Sequence, residues 1–499
     1  MKLENLFNHL LVKKIEGTLP STEINKITQD TREVESGDVF VCISGVIFDG
    51  HEYVETAIEK GAIAIVAERK IETSTGNVPI IYVKESRKAI TILASAFYQH
   101  PSEELSMIGV TGTNGKTTVT HLIDHILKKA GKKTGMIGTI GMDIDGEQIP
   151  VLNTTPDNIT LQRSLRMMVD RDVEICSMEF SSHALVQGRT WGIDVDVAVL
   201  TNLTHEHLDF HKTMEDYQHA KELLFSQLGN SWKNGKGKIA ILNKDDATYQ
   251  PYSQATAAEV ISYSIEDETA DFFAKDIHFE KDGTTFTLVV MGSSYPVQTK
   301  LMGAFNVSNA LAALAAVFSI GFPLEEAVEL LSEAQGARGR LQALTDTGDI
   351  QVYVDFAHTP DGLEKALQAL KPITNGRLVN VMGVMGNRDQ QKRPKMGRIA
   401  AENADHVIFT MENPETEPQS EITDMLLKGV ETENYTVIED RSEAIFHAIV
   451  HAQPGDTVAI TGRGHETTYR VGTTIYHLVD EEVAREAIEE RKRLQQDTI

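Results

Sequence analysis

The stretch Ser106-Met107-Ile108-Gly109-Val110-Thr111-Gly112-Thr113-Asn114-Gly115-Lys116-Thr117-Thr118 decides how the rest of the chain is read. Its apolar start has the composition of a buried strand, and residues from about 117 to 130, closed by Gly131, pattern as a helix. Between them, glycines let backbone N–H groups turn toward a polyphosphate, and the helix N-terminus adds positive potential. Lys116 supplies a point charge, and a threonine hydroxyl is placed to reach a magnesium ion. Gly112, Thr113, Asn114, Gly115, Lys116, Thr117 and Thr118 are therefore candidate nucleotide-binding residues. Val110 stands where the usual phosphate-loop pattern has its first glycine. A tight turn with an incidental lysine is the bland alternative, against which the flanking strand and helix weigh. Such a loop does not name a reaction, because kinases, switches, motors and ligases all use one.

On either side of the loop, short apolar runs alternate with helix-like segments. Upstream, the runs at 39–43, 62–66 and 79–83, with a helix-like segment at 54–60, read as a small α/β domain over residues 1–104. Downstream, strands expected at 175–180, 195–201 and 238–242 imply a parallel sheet covered by helices, a phosphate-loop ATPase-type domain over 105–335. Strands expected at 351–355, 377–384, 406–410 and 457–460 give a third, Rossmann-like α/β domain over 336–499, ending in a charged helix at 481–496. The glycine- and arginine-rich Gly336-Ala337-Arg338-Gly339-Arg340 suits a hinge. No internal repeat or low-complexity tract interrupts this α/β pattern.

The chain has 499 residues, with 47 lysines and arginines against 73 aspartates and glutamates, a net charge of −26. That balance argues against nucleic acid, whose backbone demands a basic footprint, and against an anionic membrane surface. It leaves room for an anionic small molecule in a locally basic site. Two cysteines, Cys42 and Cys176, support neither a disulfide framework nor a cysteine zinc site. No signal peptide pattern opens the sequence, and the longest apolar run, around 310–318, is too short to span a bilayer. A cytoplasmic protein is the expectation.

Three further segments carry candidate chemistry. Glu179, in Met178-Glu179-Phe180-Ser181-Ser182-His183, follows an apolar run and falls at a strand's C-terminal end, where doubly wound sheets place ligands. It is a candidate Mg²⁺ ligand or a solvated glutamate. Thr201-Asn202-Leu203-Thr204-His205-Glu206-His207-Leu208-Asp209-Phe210-His211 concentrates three histidines and two acids. Zinc is one option, an oxygen-rich Mg²⁺ site beside a phosphate loop another, and a histidine-bearing surface loop the third. Lys221 falls on an amphipathic helix and, on sequence alone, reads as a surface lysine extending its charge into water.

Together these motifs resemble the Mur ligases of bacterial cell-wall synthesis, over essentially the whole chain. The resemblance rests on Thr111 to Thr118, Asn153-Thr154-Thr155-Pro156-Asp157, Glu179 to Leu185 and Thr201 to Asp216. It continues in Gly303-Ala304-Phe305-Asn306-Val307-Ser308-Asn309-Ala310, Asp355-Phe356-Ala357-His358-Thr359-Pro360-Asp361 and Gly462-Arg463-Gly464-His465-Glu466. It implies an ATP- and Mg²⁺-dependent amide ligase, working as a monomer, that joins the third amino acid of the peptide stem to UDP-N-acetylmuramoyl-L-alanyl-D-glutamate through an acyl phosphate. The resemblance makes Lys116, Glu179, His207 and Lys221 catalytic candidates. It assigns Thr117, Glu179, His207 and a carbamylated Lys221 to metal. Asn306, Arg340 and Asp355 match ATP-binding positions. Thr31, in Gln29-Asp30-Thr31-Arg32, and the segment Gly45-Val46-Ile47-Phe48-Asp49-Gly50-His51 resemble uridine-binding turns of the first domain. Asn153, Thr154, Thr155, Ser181, Gln187 and Arg189 match contacts to the muramoyl-dipeptide.

The amino-acid pocket departs from the family pattern. Members that use meso-diaminopimelate carry Asp-Asn-Pro-Arg, whose arginine clamps the substrate's distal carboxylate. This chain has Glu412-Asn413-Pro414-Glu415. A glutamate there repels a carboxylate and attracts an ammonium, unless a neighbour compensates. Arg388, Gly462 and Glu466 are retained, with Arg463 where a lysine is common and Glu481 where an arginine is common. L-Lysine and meso-diaminopimelate both stand as the expected amino acid. The alternatives are a paralogue or folate-type ligase with another substrate, and a phosphate-loop binding protein that ligates nothing.

Overall fold

Strand Ser106–Thr111 runs out of one structural unit and into another. In the computed structural model, which describes residues 1–45, 48–72, 76–233, 235–280 and 283–496, Met1–Gly109 and Lys132–Asp196 form one unit. Val110–Gly131 and Val197–Ile499 form the other.

The first unit contains a five-stranded sheet in the order Lys14–Glu16, Ile80–Tyr82, Ala64–Ala67, Val39–Val41, Ile27–Thr28. Only the pairing of Lys14–Glu16 is antiparallel. Alternation along its strands feeds two cores: Val39, Val41, Ala64 and Val66 face one, and Phe40, Ile65 and Ala67 face the other. Helices cover both faces, as parallel strands require. The unit also holds strand Ile175–Glu179 parallel to Thr134–Gly138, extended by the antiparallel Gly141–Ile144 and Glu147–Ile149.

The second unit places Val197–Leu200, Ile239–Asn243 and Glu259–Ser264 in parallel. These runs are apolar because both faces are covered. Helix Ala304–Ser319, buried along nearly all of its length, packs on all three of them and on helix Lys116–Lys129. An antiparallel meander, Phe272–Glu280, Gly283–Val290 and Ser293–Thr299, continues the pairing.

A second sheet of this unit has the order Gln342–Ala343, Gln351–Asp355, Thr457–Thr461, Leu378–Met382, His406–Phe409, Tyr435–Val437. It is parallel except at its first pair. The last strand to form in sequence, Thr457–Thr461, inserts between the first two long ones. The loops leaving the C-terminal ends of these strands therefore diverge and leave a crevice. No helix among the described residues is long and apolar enough to cross a membrane.

Candidate active site

The phosphate loop has the strand–turn–helix form expected of it, with helix Lys116–Lys129 opening directly on Lys116. Gly112 (φ 144°) and Gly115 (φ 89°) adopt left-handed backbone, and a Cβ on either would overlap Thr201 Oγ1 or Asn309 Oδ1. The loop is braced by its neighbour strand's exit. Asn114 N–H donates to Asn202 Oδ1 (3.0 Å), Asn202 Nδ2 to Asn114 O (3.0 Å) and Thr113 N–H to Asn202 O (2.8 Å). Thr113 Oγ1 also meets Tyr217 Oη at 3.1 Å. No local sequence pattern marks Asn202 or Tyr217 as a site residue, although Asn202 lies in the histidine-bearing segment 201–211.

Three basic side chains gather on this loop. Lys116 Nζ donates to Gly112 O and Thr113 O, both at 2.9 Å. Arg340 Nη2 donates to the Thr117 hydroxyl at 3.1 Å, with its guanidinium over the Phe356 ring. Lys221 Nζ donates to Gly112 O at 2.7 Å. The surface reading of Lys221 is thus overturned: the residue is 1% exposed. It lies on the same face of helix Met214–Ser226 as Tyr217, Leu224 and Phe225, and that face is buried. Burial, with the Lys116 charge beside it, holds its amine well below the usual lysine range.

Asn306, Arg340 and Asp355 line one cleft with Asn114, Gly115 and Thr118. Asn306 Nδ2 donates to Met302 O, and its Oδ1 accepts from Asn309 Nδ2. Asp355 accepts from the N–H groups of Leu341 (2.6 Å) and Ala357 (2.9 Å), while burial pushes its carboxyl above the ordinary value.

Two of the three histidines of 201–211, His207 and His211, pack on the same Tyr217 ring, and the third does not join them. His205 faces Asp389 (3.5 Å), His211 packs on Tyr217, and His207 sits in left-handed backbone (φ 57°). Among the described residues no group of three His, Cys, Asp or Glu side chains is placed to hold a metal.

At the strand ends of the second sheet, Glu412, Gly462 and Glu466 come together, and Arg388 lies beside Glu415. Glu412 is 1% exposed, and one carboxylate oxygen of Glu412 and one of Glu466 are buried without a hydrogen-bond partner. Burial, and then the charge of Glu466, pushes the Glu412 carboxyl up to about 8, and burial raises Glu466 as well. Below them Arg441 forks onto Asp480 (2.8 and 2.6 Å), and Arg463 donates to the carbonyls of Glu412, Thr468 and Leu478. Arg463 is therefore a structural post under the pocket. Glu415 (φ 52°) bonds to the hairpin strand Thr468–Val471, and its carboxylate lies 3.8 Å from Arg388. Asn413 Oδ1 accepts from Arg470 N–H, and Pro414 O closes on Gly386. Glu481 pairs with Arg338 and Arg485.

The raised Glu412 value has a signed consequence. The folded pKa near 8 exceeds the ordinary 4.5, so an unfolding chain releases this proton first and unfolding gains as pH rises between those values. Glu412→Gln should therefore gain in unfolding midpoint over the parent protein as pH climbs from about 4.5 to about 8, with a constant gap above. Thermal melts across that range check it, and a pH-independent gap would contradict it.

In the first unit, Glu179 ends its strand fully buried, accepting from Thr139 N–H (2.9 Å) and Thr139 Oγ1 (3.1 Å). It is not the solvated glutamate of the bland reading. Thr154 meets the same Thr139 hydroxyl at 3.1 Å. Thr155 Oγ1 donates to Glu179 O and accepts from Ser181 N–H, and Arg189 donates to Thr155 O and Gln187 Oε1. Thr154, Thr155, Glu179, Ser181, Gln187 and Arg189 are thus one cluster. Asn153 is exposed beside it. Thr31 lies on the turn Thr31–Glu33, held by Asp30, and its carbonyl accepts from Lys60. Asp49 pairs with His51 and Arg69, whereas Val46 and Ile47 of that motif lie outside the described residues.

A strand–loop–helix phosphate site, a crevice at the ends of a second parallel sheet, and a buried lysine bonded to the loop define a nucleotide-dependent group-transfer class. The chain belongs to the Mur ligase family. The Mur ligase middle domain matches residues 110–317, the glutamate ligase domain of Mur ligases 339–464, and the Mur ligase catalytic domain 23–98. The chain is 45% identical to the UDP-N-acetylmuramoyl-L-alanyl-D-glutamate–2,6-diaminopimelate ligase of Bacillus velezensis, over 98% of this chain and 99% of that protein. Its counterpart of the same name in Lactiplantibacillus plantarum is 45% identical over the same shares. A solved structure of a ligase with that name superposes with a TM-score of 0.70 at 32% identity, over 98% of this chain and 99% of the other. A MurF ligase from Thermotoga maritima in complex with ADP shares the fold, with a TM-score of 0.63 at 20% identity over 95% and 98%. The fold is the three-domain Mur ligase architecture, mixed α/β with a central parallel sheet, and the chain is an ATP-dependent amide ligase.

Proposed function

We propose that the chain joins a basic amino acid to the D-glutamyl carboxylate of UDP-N-acetylmuramoyl-L-alanyl-D-glutamate. One carboxylate oxygen attacks the γ-phosphorus of ATP and ADP leaves. The amine of the incoming amino acid then adds to the acyl phosphate, and the tetrahedral intermediate collapses with loss of phosphate and a proton. Lys116 and Arg340 offset the charge that spreads over the transferring phosphoryl group. Magnesium, when bound, supplies further neutralisation of the phosphates. Thr117, Glu179, His207 and a carbamylated Lys221 would hold it. The oxygens of Thr117, Glu179 and the carbamate are the hard donors of this set that would suit Mg²⁺, which takes few protein ligands beside phosphate and water. Thr31, Asn153, Thr154, Thr155, Ser181, Gln187 and Arg189 would bind the UDP-muramoyl-dipeptide. In this reading the domain limits are 1–104, 105–335 and 336–499, and the enzyme acts as a cytoplasmic monomer.

The observation that supports an ammonium-bearing substrate is the pair Glu412 and Glu466, buried with one carboxylate oxygen each unpartnered. Such groups are costly unless a cation arrives to meet them. Where the diaminopimelate-type pattern has an arginine this chain has Glu415, which lies against Arg388, so the cation there is offset. This favours L-lysine over meso-diaminopimelate, although the curated relatives are named for the latter. ADP release with lysine, ornithine and meso-diaminopimelate, each with the UDP-muramoyl-dipeptide, tests both steps. Lysine is expected to exceed meso-diaminopimelate in kcat/KM by about tenfold or more, since a misplaced carboxylate costs on the order of 1–3 kcal/mol. Exclusive use of meso-diaminopimelate would sink the charge argument.

A further inference from the structure

The loop that braces the phosphate site carries a carboxylate which the reaction above does not use. Glu206 lies between Asn202, which clamps Asn114, and the start of helix Leu208–His211. Thr204, two residues before it, exchanges hydrogen bonds with Thr113 of the phosphate loop (3.0 and 3.3 Å). Glu206 is 8% exposed, and Oε1 lies 3.4 Å from Nζ of Lys392, which is itself 8% exposed. Its second oxygen is buried with no hydrogen-bond partner, so the carboxylate's charge is met by Lys392. A buried carboxylate with one cationic partner is held by it, because separation would strand the carboxylate in a poorly polarisable surrounding.

Lys392 opens helix Lys392–Asn403, directly after the segment that carries Arg388. It also donates to His358 O at 2.9 Å. One residue on, Arg393 is fully buried and pairs with Glu417 (2.7 Å), while Asn387 N–H donates to the same Glu417. A second contact runs in parallel, His205 Nε2 to Asp389 Oδ2 at 3.5 Å. Two adjacent residues of the phosphate-side loop thus reach the segment that carries Arg388.

We propose that Glu206 and Lys392 are positioning residues whose buried ion pair couples the nucleotide side of the site to the amino-acid side. When nucleotide stiffens the loop containing Thr113 and Asn114, residues 202–206 stiffen with it. Through Lys392 the ordering reaches residues 386–393 and presents Arg388 to the incoming amino acid. The inference rests on the two-substrate ligase reading only for the purpose it gives the coupling.

The test is hydrogen–deuterium exchange over residues 386–393 in the full chain, with and without the magnesium complex of a non-hydrolysable ATP analogue. The parent protein should slow its exchange there by at least about fivefold, the lower end of ordinary coupling between sites. Glu206→Gln should keep analogue affinity within about threefold and lose that protection. The charge swap Glu206→Lys with Lys392→Glu should restore it, which a merely structural role would not. Undiminished protection in Glu206→Gln, no protection in the parent, or no recovery in the swap would each overturn the coupling. Should Glu206→Gln fail to fold, the swap decides alone. ADP release with both substrates is read in parallel, so a failure of ligation with the protection intact would overturn the ligase reading and leave the coupling standing.

Discussion

Lys116→Ala should abolish turnover, with a fall in ADP release on the order of 10³-fold or more. Lys116 opens the helix at the phosphate loop, and its ammonium already sits on the two carbonyls that edge the loop, Gly112 O and Thr113 O. Alanine keeps the helix, because it is the best helix former, and removes only the charge. Thermal stability should therefore stay within a few degrees of the parent, so lost activity cannot be blamed on unfolding. Near-normal turnover in this variant would refute the phosphate-loop assignment.

Lys221→Ala should be nearly as damaging, by about 10²–10³-fold, and short carboxylic acids such as formate should restore part of the loss. Lys116 and Lys221 donate to the same carbonyl, Gly112 O, at 2.9 and 2.7 Å. Two full charges on one carbonyl repel, and burial together with the Lys116 charge holds the Lys221 amine well below the usual range. A neutral amine is a nucleophile for carbon dioxide. The C–N bond forms, one proton leaves, and the product is an anionic carbamate that sits well beside Lys116 and a divalent cation. The parent enzyme should accordingly lose activity in carbon-dioxide-free buffer and regain it with bicarbonate. Full activity of the parent without carbon dioxide or added acid would refute the carbamate.

Much of the fold was legible because parallel strands covered on both faces must be continuous apolar runs. The runs expected at 351–355 and 406–410 appear as Gln351–Asp355 and His406–Phe409, and the helix expected from about 117 appears as Lys116–Lys129. The meander at 272–299 escaped. One side of it is wet, so it alternates threonine, serine and lysine with apolar residues, and no continuous run announces it.

Within the site, the loop residues declare themselves by glycine spacing, whereas Lys221 reads as a surface lysine from its local sequence and is raised to a site candidate only by the family resemblance. Tyr217, Lys221, Leu224 and Phe225 recur at intervals of three to four, which puts the lysine on the buried face. The tendency of lysines to reach water points the other way, and tertiary burial decides between the two. Glu206 with Lys392 and Arg441 with Asp480 are pairings across 186 and 39 residues, set by tertiary structure, and no local pattern encodes them.

The unit boundaries also bear on how this chain emerges from a ribosome. Segment Val110–Gly131 belongs with residues from 197 onward, while the 65 residues of Lys132–Asp196 between them belong with the beginning of the chain. Helix Lys116–Lys129 packs its apolar side, Val119, Leu122, Ile123, Ile126 and Leu127, against a unit that includes helix Ala304–Ser319, and the latter is translated 173 residues after Gly131. At about 5–20 residues per second, that is roughly 9–35 s of waiting. During this interval the nascent chain exposes a greasy helix beside a phosphate loop that has no brace, since Asn202 and Tyr217 are also still to come. Folding of the nucleotide site is thereby deferred until most of the polypeptide has been made.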